Sequence, residues 1–216
     1  IRGLWFFDEY GASTAILDRG SGGHDAVLSA NASGLTPQVM GSLPCLNITG
    51  NADWTVADHA DFTFGNGSAD SAFSIILLLN PIALTSVYVI AKYELTTGAA
   101  QKEWSWSFSS GQKPQVTLYD NSAAAYIYAY YNASLNGDLN ALHCYIATYD
   151  GSASENGILQ YRDGTALAMT AGHSGTYVAM EDKAATVGNY YTGTDGVKAG
   201  FGSARYFVAA IVAGAL

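Results

Sequence analysis

The sequence predicts an all-β protein of the sandwich or barrel type, and three observations carry that expectation. Short runs of β-branched and aromatic residues recur along the chain, bounded by Gly, Asn and Asp. No window shows the i, i+3, i+4, i+7 apolar stripe of an amphipathic helix. The turns have hairpin chemistry, as in RDGTA, where Asp163-Gly164 supplies the positive φ that a two-residue loop needs.

Strands are predicted in order at GLWFF (3–7), PCLNIT (44–49), AFSIILLLN (72–80) and VYVIAKYEL (87–95). They continue at EWSWSFSS (103–110), PQVTLYD (114–120), AYIYAYYN (125–132) and LHCYIATYD (142–150). GILQYRDG (157–164), ALAMTA (166–171), AATVGNYY (184–191) and ARYFVAAIV (204–212) complete the set. Pro81 is expected to end the most hydrophobic strand and Pro114 to begin another. With no linker, composition break or fixed-period repeat, residues 1–216 read as one domain.

Hydrophobic residues make up 49% of the 216, enough for a sizeable core, and apolar runs such as IILLL are far too short to span a bilayer as a helix. Nine basic against 18 acidic side chains give a net charge of −9, which argues against a nucleic-acid partner because phosphates need a basic stripe. Charged residues are only 12% of the chain, about half the usual share. A low-charge surface rich in Ser, Thr, Asn, Ala and Tyr is common in secreted and particle-forming proteins, so an extracellular or virion-surface location is expected.

Two cysteines do not make a disulfide framework. Alternation places Cys45 outward with Asn47 and Thr49, and Cys144 on the face of Leu142 and Ile146. Those mismatched faces favour two buried or semi-buried thiols over a bridge.

Taken together, these segments resemble the laminin-G-like branch of the concanavalin A-like lectin/glucanase superfamily. Phe7-Asp8 followed by DRGSGGHDAVL is similar to that family's opening strand and turn, matching at Asp18, Ser21, Gly22, Asp25 and Leu28. CLNITG (45–50), FSIILLLNP (73–81), VIAK (89–92), LHCYIATYDG (142–151), LQYRDG (159–164) and ATVG (185–188) look like the family's successive strand motifs. YFVAAIVAGAL (206–216) traces the closing strand without its charged positions. The resemblance implies a two-sheet antiparallel jelly-roll β-sandwich with neighbouring terminal strands. Its members bind glycans or proteins, hydrolyse polysaccharides or decorate surfaces, so the fold leaves function to the site. It also implies that one structural Ca2+ is an option, with Asp18, Asp25, Asp53, Asp58, Asp61 and Asp150 in loops able to converge.

Hydrolysis would need paired carboxylates across the scissile bond, and the E-x-D-x-E pattern of the glucanase branch does not occur. Glu94 and Glu103, flanked by Lys92 and Lys102, read as a solvated ion-pair face. No G-x-S-x-G elbow or zinc-type His/Cys spacing is present, and His24, His59 and His173 read as loop residues. The sequons at Asn31, Asn47, Asn66 and Asn132 are what so Asn- and Ser-rich a chain yields by chance.

Two aromatic rows have period 2. Trp104, Trp106 and Phe108 alternate with Ser105, Ser107 and Ser109, which predicts rings in and serines out. Tyr126, Tyr128 and Tyr130 share one face of a strand whose other face, Ile127, Ala129 and Tyr131, is apolar too. That tyrosine row has three readings: packing, an assembly surface, or a glycan platform. The expectation is a non-catalytic surface recognition module, carbohydrate-binding through Tyr126, Tyr128 and Tyr130. A structural or decoration protein of a virus particle, using self-assembly or a protein partner, is the alternative, and a polysaccharide hydrolase is the weaker one.

Overall fold

The computed structural model describes residues 1–8, 14–28, 35–49, 52–96, 99–189, 191–192, 198–199 and 203–216. Nineteen strands form two sheets, and three short 3-10 turns are the helical elements among the described residues. The first sheet contains β1 (Gly3–Phe6), β4 (Leu35–Met40), β5 (Leu43–Ile48), β7 (Phe73–Ala83), β12 (His143–Tyr149), β13 (Ile158–Arg162), β14 (Thr165–Ala166) and β19 (Ser203–Ala213). Its order is β14-β13-β12-β7-β19-β5-β4, with β1 also paired to β19.

The second sheet contains β2 (Ala15–Ile16), β3 (Ala26–Leu28), β6 (Trp54–Val56), β8 (Val87–Thr96), β9 (Ala99–Phe108), β10 (Pro114–Asp120) and β11 (Ala125–Tyr131). It also holds β15 (Met169–Ser174), β16 (Val187–Gly188), β17 (Tyr191–Thr192) and β18 (Lys198–Ala199). The main order is β15-β11-β10-β9-β8-β16-β6-β3-β2. All pairs are antiparallel except the short contact of β17 with β8. This is the all-β, two-sheet sandwich the sequence predicts.

The sheets stack through one apolar layer. From the first come Trp5, Ile75, Leu77, Tyr145, Tyr149, Tyr206 and Ile211; from the second come Trp54, Trp104, Trp106, Leu118 and Ile127, all buried. The alternation in EWSWSFS holds, with Trp104, Trp106 and Phe108 in the core, although Ser105 on the opposite face is buried as well. Gln160 is buried on β13 and bridges the layers: its Oε1 accepts from Trp106 Nε1 at 3.1 Å and its Nε2 donates to the Ala129 carbonyl at 3.1 Å. The tyrosine-bearing strand is thereby tied to the opposite sheet.

Several expectations change. Pro81 does not end its strand: β7 runs on to Ala83, with Pro81 opposite Ala204 beside a register shift, and its carbonyl accepts from Asn140 N at 2.8 Å. The predicted strand 166–171 is split between β14 and β15, and 184–191 contributes β16 and the start of β17. β4 carries Pro37, which an edge strand tolerates. Asn31 lies outside the described residues. Asn47 is half-buried within β5.

The cysteines are free, but not because they face opposite ways. Cys45 on β5 and Cys144 on β12 both point away from the core, and β7 and β19 lie between their strands. Three strand spacings separate them by about 14 Å, well beyond bridging distance. As expected for two buried or semi-buried thiols, Cys45 is buried, 2% accessible, and Cys144 is half-buried. The outer face around Cys144 is apolar. Leu4, Phe6, Ile76, Leu78, Ile146 and Val208 occupy neighbouring register positions on β1, β7, β12 and β19, each half-buried.

Candidate functional site

Strand β11 settles where its two faces point. Ala125, Ile127 and Ala129 are buried in the core, so Tyr126, Tyr128 and Tyr130 stand on the outer face of the second sheet, with Tyr126 37% exposed. They are not alone. Pairing of β10 with β11 sets Tyr119 opposite Tyr126, and their rings are 6.2 Å apart. Tyr119 meets Tyr93 of β8 at 5.4 Å, and Tyr93 meets Tyr88 at 5.6 Å. Along β11, Tyr126–Tyr128 and Tyr128–Tyr130 are 6.0 and 6.2 Å apart, the latter stacked at 21°. Six tyrosines from three strands thus form one continuous aromatic band.

Two lysines border the band. Lys102 Nζ lies 5.2 Å from the Tyr93 ring centroid and 5.5 Å from that of Tyr119, within cation–π range. Partial burial lowers its pKa, and among the described residues no carboxylate comes within ion-pair distance of it. Lys113 Nζ lies 5.9 Å from the Tyr130 ring and donates to Asn132 Oδ1 at 2.9 Å. Burial also raises the pKa of the Tyr119 hydroxyl, which sits 3.4 Å from Ser105 Oγ.

Beside the band opens a cleft of about 280 Å³ lined by Lys102, Tyr119, Asp120, Asn121, Ala124, Ala125 and Tyr126. The β10–β11 turn forms its rim. Asp120 holds that turn in shape, its Oδ1 accepting from Ala123 N at 3.0 Å and Ser122 Oγ at 3.1 Å, and its Oδ2 from Val178 N at 3.0 Å. Asn121 donates to the Lys102 carbonyl, linking the turn to β9. On the far side of β11, Gly172 leaves room for Tyr128: a Cβ there would come 2.7 Å from the tyrosine hydroxyl. The arrangement offers flat apolar rings, a cation and a polar turn, which suits an amphipathic ligand lying across the sheet.

Sequence reasoning found Tyr126, Tyr128 and Tyr130 and missed Tyr88, Tyr93, Tyr119 and Lys102. Tyr119 was within reach, since it falls on the same alternation as Gln115 and Thr117. Tyr88 and Tyr93 are five apart and would face opposite ways on a regular strand. A bulge between Tyr88 and Ile90 puts both on one face.

A second bulge, on β9 between Lys102 and Trp104, overturns the reading of Glu103 as part of a solvated ion-pair face. Glu103 and Lys92 are both fully buried and paired with each other. Lys92 Nζ also meets Asp58 at 2.9 Å and donates to Thr63 Oγ1 at 2.6 Å. Burial lifts the Glu103 pKa to about 7 despite Lys92, for its Oε2 is buried without a hydrogen-bond partner.

The loop aspartates have separate engagements. Asp18 accepts from Leu4 N, Gly20 N and His24 N at 2.7–2.9 Å, and Asp25 accepts from Asp18 N at 2.8 Å. Asp61 pairs with Arg2 and His24, and Asp150 accepts from Ser152 N. His143 pairs with Asp163 at 2.7 Å and His173 with Glu155 at 3.1 Å.

No family model and no curated protein matches the chain. Solved structures do. The binding domain of Paraclostridial Mosquitocidal Protein 1 superposes with a TM-score of 0.62 at 14% identity, over 99% of this chain and 49% of that one. Domain 4 of an extracellular arabinanase from Geobacillus stearothermophilus, in complex with arabinotriose, gives 0.60 at 12% identity over 100% and 93%. The CBM40 of the Ruminococcus gnavus IT-sialidase, bound to α2,3 sialyllactose, gives 0.54 at 9% identity over 69% and 79%. The chain spans about half the length of the first of these. The likeness establishes the two-sheet β-sandwich fold. No described helix is long and apolar enough to cross a membrane.

Proposed function

We propose that the chain is a non-catalytic carbohydrate-recognition module of the laminin-G-like type, acting outside the cell or on a virion surface, and that the tyrosine band is its binding face. The observation that carries this reading is the band itself, six adjoining rings on the outer face of one sheet, ending at a cleft with Lys102 over two of them. The C–H faces of a sugar pack on the partly exposed rings of Tyr126, Tyr128 and Tyr130, which buried Tyr93 helps to back. Hydroxyl or carboxylate groups of the glycan then meet Lys102 and the polar turn at Asn121. Two structural neighbours hold arabinotriose and sialyllactose, which supports the ligand class.

A glycan array probed with the wild-type chain, with and without EDTA, tests the proposal. Binding to a defined set of glycans is expected, and its response to EDTA decides whether a calcium ion takes part. Absence of binding under both conditions overturns the reading.

The apolar outer face of the first sheet favours a second reading, self-assembly of this chain. Sedimentation velocity over a concentration series tests it. A monomer at all concentrations excludes it, whereas a dimer dispersed by Ile76→Asp supports it.

A further inference from the structure

We propose that His24, His59 and Asp61 form a binding site for a divalent transition metal, zinc in particular. His24 precedes β3 in the glycine-rich loop, and His59 and Asp61 lie at the 3-10 turn Ala60–Phe62. The chain brings them together across more than thirty residues, so no local motif announces them.

Two imidazoles and a carboxylate converge on one point. Asp61 Oδ2 lies 2.9 Å from His24 Nε2 and 3.5 Å from His59 Nδ1, and the three ligand atoms all fall within 4.8 Å of one another. A tetrahedral ion with bonds of about 2.05 Å holds neighbouring ligand atoms about 3.3 Å apart. The two spacings to Asp61 Oδ2 lie within about half an ångström of that value, so the three atoms bracket a zinc-sized position. The donor set selects the metal class. Imidazole suits zinc, copper and nickel, whereas calcium and magnesium take oxygen ligands.

The surroundings hold these donors in place before any ion arrives. The His24 ring packs edge-on against buried Phe62 at 4.9 Å, and its backbone is fixed at both ends. Its carbonyl accepts from Trp5 Nε1 at 2.8 Å, and its N–H donates to Asp18 Oδ2 at 2.9 Å. A side chain at Gly22 would collide with this ring, so the glycine keeps its place open. His59 Nδ1 accepts from Asp61 N at 3.1 Å, which keeps the ring beside the carboxylate; ligation through this nitrogen replaces that hydrogen bond. Arg2 takes Asp61 Oδ1 at 2.8 Å and leaves Oδ2 to the imidazoles. Such outer partners are what orient metal ligands.

The His59 side chain is 52% exposed and that of Asp61 26%, so an ion can enter from solvent. Three protein ligands leave a fourth position for water or for a donor group of a bound molecule. Among the described residues this is the one His/Cys/Asp/Glu group with metal-compatible spacing. Of the other two described histidines, His143 lies between Asp163 and Asp138 and His173 pairs with Glu155.

Titration calorimetry with ZnCl2 on the whole chain tests the site, with CaCl2 and MgCl2 as comparisons. One zinc per chain is expected, and His59→Ala and Asp61→Asn each weaken it at least about tenfold. Circular dichroism confirms that both variants fold. Co2+ in place of zinc should give the visible bands of a tetrahedral ion without thiolate charge transfer. No zinc binding up to about 1 mM overturns the proposal, as does binding that both variants retain. Thiolate bands that vanish in Cys144→Ala would assign the metal elsewhere and overturn it too.

Discussion

Replacing Glu103 with Gln removes a carboxyl group that the fold forces to titrate near neutrality. The wild-type group is fully buried, with Oε1 accepting from Thr63 Oγ1 at 3.3 Å and Lys183 N at 2.9 Å, and Oε2 unpaired. Its pKa rises from 4.5 to about 7 because burial outweighs the attraction of Lys92. The folded protein thus holds this proton more tightly than the unfolded chain does. The associated stability is fully present below about pH 4.5 and is lost as the pH rises through about 7. At 1.36 kcal/mol per unit, the loss amounts to about 3 kcal/mol.

Neighbouring acids act in the opposite sense. Asp61 and Glu181 have lowered pKa values, chiefly through side-chain hydrogen bonds from His24 and Lys183 respectively, and stabilise the fold above the ordinary carboxylate range. The wild-type curve alone is therefore ambiguous, and the comparison between chains isolates Glu103. Urea unfolding at a series of pH values from about 5 to 8 should show E103Q gaining on the wild type by about 2.5 kcal/mol across the range. Lys92 keeps Asp58 as its partner in the variant. A stability difference that stays constant with pH would refute the reasoning.

Lys92→Met strands the Glu103 carboxylate in the core, so it should cost about 3–5 kcal/mol at pH 8 and less at pH 5, read from the same unfolding curves. Gln160→Leu leaves Trp106 Nε1 without its acceptor and should lower stability by about 1–3 kcal/mol in urea unfolding. Gly172→Ala places a methyl group against Tyr128 and should displace that ring, weakening glycan binding in calorimetry more than it lowers the unfolding midpoint. Burial raises the pKa of both thiols, so Ellman's reagent should find two thiols in denaturant and react slowly with the native chain, more slowly at Cys45 than at half-exposed Cys144.

Local pattern and tertiary geometry divide what could be read in advance. Strand β10 matches its predicted span, and Trp104, Trp106 and Phe108 are core residues because strict alternation survives wherever the ladder is regular. Tyr126, Tyr128 and Tyr130 could be assigned to one face for the same reason. Alternation fails at bulges, which have no signature in VYVIAKYEL or QKEWSW. Periodicity therefore separates Tyr88 from Tyr93 and gives no sign that Glu103 is turned into the core beside Lys92. Short strands such as β2, β3 and β6 escape because two or three residues carry no periodicity. The meeting of His24 with His59 and Asp61 depends on how two loops close over Phe62, which no local spacing encodes.

The tyrosine band as a carbohydrate platform is tested most directly by titrating the best array glycan into the wild type, Tyr126→Ala, Tyr128→Ala and the apolar-face variant Ile76→Ser. The account predicts saturable binding to the wild type, a loss of at least about tenfold in each tyrosine variant, and unchanged affinity in Ile76→Ser. Binding that survives both tyrosine substitutions, or that Ile76→Ser abolishes in a folded chain, would contradict it.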